Sequence, residues 1–90
     1  MKFKELYDAV MNNDTETLEQ LIKAGADVNK KDAAGLTLLV YAAAKNSADA
    51  ARLLIDAGAD INAKDTDGRT ALIVATEEDS TKVAKLLTNA

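Results

Sequence analysis

Few side chains in this sequence could do chemistry, and their spacing argues against catalysis. Histidine and cysteine are absent, which removes the commonest general base, the thiol nucleophile and the thiolate metal ligands together. Ser47 and Ser80 have no histidine to activate them and stand where helix N-caps are expected. Glu77-Glu78-Asp79 gathers three carboxylates, but consecutive positions on a helix point in different directions and make a poor cation cage. Asp65-Thr66-Asp67-Gly68 looks more like a calcium loop. No bidentate glutamate follows it at the required distance, however, and its counterpart Asp32-Ala33-Ala34-Gly35 lacks the middle acid. Neither Gly-x-Gly-x-x-Gly nor Gly-x-x-x-x-Gly-Lys occurs, and the four glycines are accounted for by two helix ends and two turns. The expectation is a non-enzymatic chain that uses no metal and no cofactor.

Bulk properties narrow what remains. Ninety residues are enough for one domain that folds without a metal or a disulfide. With 48% hydrophobic and 29% charged residues a core can form, yet no apolar run approaches the roughly 18 residues of a membrane-spanning helix. The net charge of -4 is spread without any basic segment, which disfavours DNA and RNA as partners. The first residues, Met1-Lys2-Phe3-Lys4-Glu5, lack the apolar stretch of a signal peptide, so the cytoplasm is the default location.

The elements that must position any binding surface come from an internal repeat. Gly25-Ala26-Asp27-Val28-Asn29 returns 33 residues later as Gly58-Ala59-Asp60-Ile61-Asn62. The same offset pairs Asp32 with Asp65, Gly35 with Gly68, Thr37 with Thr70, Leu39 with Leu72, Ala42 with Ala75 and Leu54 with Leu87. A period of this length signals units that cannot bury their apolar faces alone and must stack. The unit, Asp-x-x-Gly-x-Thr-x-Leu-x-x-Ala followed by an amphipathic stretch and Gly-Ala-Asp-(Val/Ile)-Asn, resembles the ankyrin repeat over essentially the whole chain. Thr37-Leu38-Leu39-Val40-Tyr41-Ala42 and Thr70-Ala71-Leu72-Ile73-Val74-Ala75 depart from that family's Thr-Pro-Leu-His-x-Ala. The resemblance implies an all-α solenoid of three stacked helix-turn-helix repeats with short β-hairpin fingers. They form a single domain divided at about 1–31 (N-terminal cap repeat), 32–64 (internal repeat) and 65–90 (C-terminal cap repeat).

Along the chain, residues 4–12 place Leu6, Ala9 and Val10 on one stripe of a first helix. Asn13-Asp14, Asn46-Ser47 and Asp79-Ser80 occupy equivalent turns, the first residue suited to the left-handed conformation and the second to capping the next helix. Second helices should bury Leu18, Leu21 and Ile22 in the first unit, with Ala51, Leu54 and Ile55 and then Ala84, Leu87 and Thr88 in the equivalent columns of the next two. Gly25 and Gly58 stop the first two. Gln20 stands where later units carry Leu53 and Leu86, as an outer unit facing water would require. Thr37 and Thr70 cap the helices after the fingers. Val40 and Ile73 are expected in the core, in a column with Tyr7.

With no chemistry to perform, a surface remains. The resemblance implies that Ala33, Ala34, Leu36, Tyr41, Ala44 and Lys45 point outward in the second unit, and Thr66, Asp67, Arg69, Val74, Glu77 and Glu78 in the third. Extension to the first unit adds Asp8, Met11 and Asn12. An aromatic, aliphatics and an arginine within a charged rim are the types that anchor protein interfaces, so the partner expected is a protein or peptide. The chain is read as a monomer. Two other readings stand beside this one: a homodimer closed through Leu36, Leu38 and Tyr41, and a minimal engineered scaffold without a natural ligand.

Overall fold

The computed structural model describes residues 3–90. Its helices are α1 (Phe3–Met11), α2 (Thr15–Lys23), α3 (Leu38–Lys45), α4 (Ala48–Asp56), α5 (Ala71–Glu77) and α6 (Thr81–Thr88). Tight turns join them into three pairs. Helix α1 packs on α3 and α3 on α5, while α2 packs on α4 and α4 on α6. The pairs therefore stack in two helix layers, and among the described residues the helices of each pair contact only those of adjacent pairs, as the repeat requires.

The turn inside each pair has its first residue in the left-handed region, with φ of 50° at Asn13, 55° at Asn46 and 56° at Asp79. A non-glycine residue there costs about 1–2 kcal/mol. The two asparagines offset that cost in a way the sequence did not suggest. Asn13 Oδ1 accepts from the Ala50 N–H at 3.0 Å, and Asn46 Oδ1 from the Val83 N–H at 3.4 Å. Each turn thus stitches its own pair to the second helix of the next one.

Capping follows backbone geometry. Thr37 and Thr70 are extended, with ψ of 167° and 170°, and their hydroxyls accept from the N–H groups of Val40 and Ile73. Ser47 and Ser80 occupy the expected N-cap positions, but their hydroxyls make no cap hydrogen bond. Their ψ values of 77° and 72° are far from the extended 167° and 170° of the two threonines, and both serines are buried. Asp14 has a similar backbone, yet its longer side chain still reaches the Thr17 N–H at 3.2 Å.

The core runs the length of the stack. Leu6, Ala9 and Val10 of α1 are buried as expected, and Leu18, Leu38, Leu39 and Leu54 are closed from solvent. Ala42, Ala43, Ala50 and Ala51 are fully buried as well, small enough to let the helices of adjacent pairs approach. Leu21, Ile22, Ile55 and Ala84 pack against this core while remaining partly exposed. The expected column of Tyr7, Val40 and Ile73 breaks at its last member: Val40 is 4% exposed but Ile73 is 44% exposed. Helix α5 lies over Val40, and no described helix lies over Ile73.

The connections 29–36 and 62–69 are turns, and among the described residues no strand forms. Each is closed across its mouth by one backbone bond, from the Asp32 N–H to the Leu36 carbonyl and from the Asp65 N–H to the Arg69 carbonyl, around a tight turn in which the Gly35 and Gly68 N–H groups donate to the Asp32 and Asp65 carbonyls. A single rung is too little for a β-ladder. Instead the carboxylates organise the loops: Asp32 Oδ1 accepts from the Ala34 and Leu36 N–H groups, and Asp65 Oδ1 from those of Asp67 and Arg69, all at 2.9 Å. Gly35 has a φ of +78°, and a Cβ there would stand 3.1 Å from the backbone nitrogen of Thr66. The two turns press together at that point, and the Thr66 N–H donates to the Ala34 carbonyl.

Candidate functional site

Between α3 and α5, below the two turns, lies a groove of about 300 Å³. Its floor is apolar: Leu36 from the first turn, Val40, Tyr41 and Ala44 from α3, and Val74 from α5. Asp65, Arg69, Glu77 and Glu78 complete the lining, giving a rim with an excess of carboxylates.

Tyr41 is held from several sides. Its hydroxyl donates to Asp32 Oδ2, so the carboxylate that folds the first turn also ties that turn to α3. Its ring meets the edge of Tyr7, with centroids 4.8 Å apart and planes at 87°, and that of Phe3 at 6.4 Å and 64°. Partial burial and the neighbouring Asp32 push the phenol up to about 12, with a smaller contribution from Tyr7. Desolvation raises the Asp32 carboxyl, but hydrogen bonds from Tyr41 and from the Leu36 and Ala34 amides outweigh it and hold the group below its ordinary value. The pair is therefore a neutral phenol on a carboxylate, a fixed wall of the groove.

The rim is softer. Arg69 Nη1 lies 3.2 Å from Glu77 Oε1, with both side chains about half exposed at 49% and 46%. Exposed pairs of this kind contribute about 0–1 kcal/mol, so a ligand can displace this one at little cost. Glu78 and Asp65 make no ion pair among the described residues.

The structure brings Leu36, Tyr41, Arg69, Glu77 and Val74 together around this groove. Val74 is placed differently from the sequence expectation: it is 7% exposed and forms floor, because valine is too short to reach the surface that tyrosine reaches at the equivalent position 41. Ala33, Ala34, Thr66 and Asp67 are exposed on the turns, and Lys45 at the end of α3, all outside the groove lining. Met11 is half-buried on α1 and also outside it. Leu38 is fully buried, so the apolar patch suggested from Leu36, Leu38 and Tyr41 does not exist at the surface. Sequence reasoning missed Val40 and Asp65 as lining residues and Asp32 as the anchor of Tyr41. The 33-residue offset between Asp32 and Asp65 was the available signal for both acids.

In the other helix layer a second cleft, about 380 Å³, is lined by Arg52, Lys82 and Lys85 with one acid, Asp49. The two clefts are opposite in charge. Among the described residues no three His, Cys, Asp or Glu side chains gather as a metal-binding group, and no helix is long and apolar enough to cross a membrane.

A family model for ankyrin repeats, in three copies, matches residues 6–90. No curated protein matches the sequence.

Proposed function

The chain belongs to the ankyrin-repeat family, whose members generally mediate protein–protein interaction, and on that premise we propose that the groove between α3 and α5 binds a segment of a protein partner. The observation that carries this reading is the composition of the groove, an apolar floor inside an acidic rim. Floors of this kind take an aliphatic or aromatic side chain, and a carboxylate rim favours lysine or arginine beside it. Leu36, Tyr41 and Val74 supply contact area, Glu77 and Glu78 attract the flanking cation, and Arg69 guards the rim until a ligand displaces it. Ala33, Ala34, Thr66 and Asp67 on the turns, with Lys45 and Met11, extend the contact beyond the groove. Such a module works as one domain of three units, at about 1–31, 32–64 and 65–90, and needs no catalytic group.

The test uses short fluorescent peptides with a central leucine or phenylalanine flanked either by lysine and arginine or by glutamate, read by anisotropy. Basic flanks should bind at least about tenfold tighter, the equivalent of roughly 1.4 kcal/mol, and added salt should weaken that preference. The double substitution Glu77→Lys and Glu78→Lys should reverse it. A preference indifferent to rim charge would place the binding face elsewhere.

A further inference from the structure

We propose that the cleft between α4 and α6 is a second docking site, which takes an acidic segment of a protein partner, one rich in aspartate and glutamate. Arg52 of α4 and Lys82 and Lys85 of α6 line it together with a single carboxylate, Asp49. Three cations against one acid make a local positive excess in a chain whose net charge is -4. The ion pairs among the described residues are Lys4–Asp8, Lys23–Glu19 and Arg69–Glu77, and none of them uses a cation of the cleft. Glu19, at the position of α2 equivalent to Arg52, pairs within its own helix with Lys23. Asp49 turns one oxygen toward Asn13 Nδ2, 3.5 Å away.

The fold does not require these charges. At the 33-residue offset Arg52 and Lys85 correspond to Glu19, and Asp49 and Lys82 to Glu16. The stack therefore accepts either sign at both columns, and all six side chains are exposed. Like charges gathered on one cleft repel one another, and a carboxylate laid among them turns that repulsion into attraction. Other groups are placed to hold it. The Arg52 guanidinium can meet a carboxylate with two parallel N–H bonds, and Asn46, whose Oδ1 is taken by the Val83 N–H, keeps its Nδ2 donors on the cleft wall. Ala48 and Leu86, both half-buried there, offer apolar contact to the methylenes of a glutamate.

Other anions fit less well. A phosphate would seek the amides at a helix N-terminus, but Asn13 and Asn46 already accept from the Ala50 and Val83 N–H groups. A nucleic acid needs a longer basic track, or aromatic rings on which to stack its bases. Phe3, Tyr7 and Tyr41 cluster instead at the boundary of α1 and α3, in the other helix layer. An anionic bilayer is recognised by clusters of about four or more basic residues. The α4–α6 cleft, about 380 Å³, has the scale of a few side chains. Lys82 and Lys85 stand three residues apart on one face of α6, with Arg52 on the facing helix, so two carboxylates of one short segment can be met together.

The test is fluorescence anisotropy of the whole chain with a short labelled peptide of glutamate, aspartate, serine and glycine, which has no large apolar residue for the α3–α5 groove. Binding should saturate, weaken with added salt and vanish when glutamine and asparagine replace the acids. Lys82→Glu with Lys85→Glu should weaken it at least about tenfold, and Asp49→Asn should tighten it about twofold. These sites are exposed, so circular dichroism should stay unchanged; Lys82→Gln with Lys85→Gln, which should also weaken binding, decides the matter if the glutamates perturb the fold. Absence of saturable binding overturns the proposal, as does binding that ignores both lysine pairs. Displacement by inorganic phosphate or a short DNA duplex at lower concentration than by unlabelled peptide overturns it too. So does a doubling of the 9.5 kDa mass that Lys82→Glu with Lys85→Glu abolishes, since the acidic rim of a second copy would then fill the cleft. In that same variant, where the cleft no longer holds acidic peptides, the groove should keep its preference for basic flanks, which separates failure of one site from failure of the other.

Discussion

The second and third helix pairs share a register and much of their sequence, yet they carry different loads. Leu39 and Leu72 are the same residue type at the same place in the repeat; one is buried and the other is over one-third exposed. Gly35 and Gly68 have nearly the same φ, 78° and 81°, but only Gly35 has a neighbouring turn against it. Asn46 reaches across to Val83, while Asp79, at the equivalent place in the third pair, has no following pair among the described residues. In a stack with only nearest-neighbour contacts, the worth of a residue is decided largely by the unit that follows.

That comparison can be broken by substitutions made in pairs, 33 residues apart. The largest contrast should come from leucine: Leu39→Ala is expected to cost about 3 kcal/mol through lost burial and a residual cavity, and Leu72→Ala about 1 kcal/mol or less. Chemical denaturation of the two variants measures the difference directly. Equal losses would mean that Leu72 is covered in solution.

Glycine gives the next contrast. Alanine at either position must adopt a positive φ, at about 1 kcal/mol. At Gly35 its Cβ would also crowd the Thr66 backbone, which no flexible side chain can relieve, so a loss of about 2 kcal/mol or more is expected there.

A smaller effect, and one of opposite sign, is expected at the turns. Asp79→Gly removes left-handed strain and gives up no stitch between pairs, so it should stabilise by up to about 1 kcal/mol. Asn46→Gly removes the same strain together with its hydrogen bond to Val83, and should leave stability near the starting value or below it.

The groove wall supplies an effect of comparable size and a pH signature. Tyr41→Phe deletes the hydroxyl bonded to Asp32 and should cost about 1 kcal/mol near neutral pH. The Tyr41 phenol binds its proton more tightly when folded, with a value about 12 against an ordinary 10.0. Its contribution is therefore intact below pH 10.0 and lost as pH rises toward 12. Asp32 works in the other direction: its depressed value contributes stability above the ordinary carboxylate range that is lost as pH falls through the folded value. Stability curves of wild type and Tyr41→Phe should converge at both extremes. Parallel curves would mean that the hydroxyl is not on the carboxylate.

Much of this was legible in the sequence because much of it is local. Thr37 and Thr70 cap the helices that begin immediately after them, and Gly25 and Gly58 follow the ends of α2 and α4 with φ of 95° and 93°. Buried leucines fall on the helical period. What escaped depends on distance along the chain or on a neighbour's presence. The Tyr41–Asp32 contact folds a turn back over a helix, and the Asn13 and Asn46 stitches span 37 residues. Ile73 has the type and period of a core residue, and no property of its own reveals whether anything lies above it. Val74 shows that register does not fix depth, since side-chain length does as well. The serines show that a residue type suited to capping at the N-cap position does not by itself make the bond.

The aromatic cluster has a consequence for how the molecule can be watched. Phe3, Tyr7 and Tyr41 are all the aromatic residues in the chain, which has no tryptophan, and all three meet at the boundary between α1 and α3. Tyrosine emission and near-ultraviolet ellipticity therefore report on that boundary and are blind to the α5–α6 end. Far-ultraviolet ellipticity counts every helix. A gap between the two melting curves would time the detachment of the last pair without any added label, and coincident curves would show the stack letting go as one body.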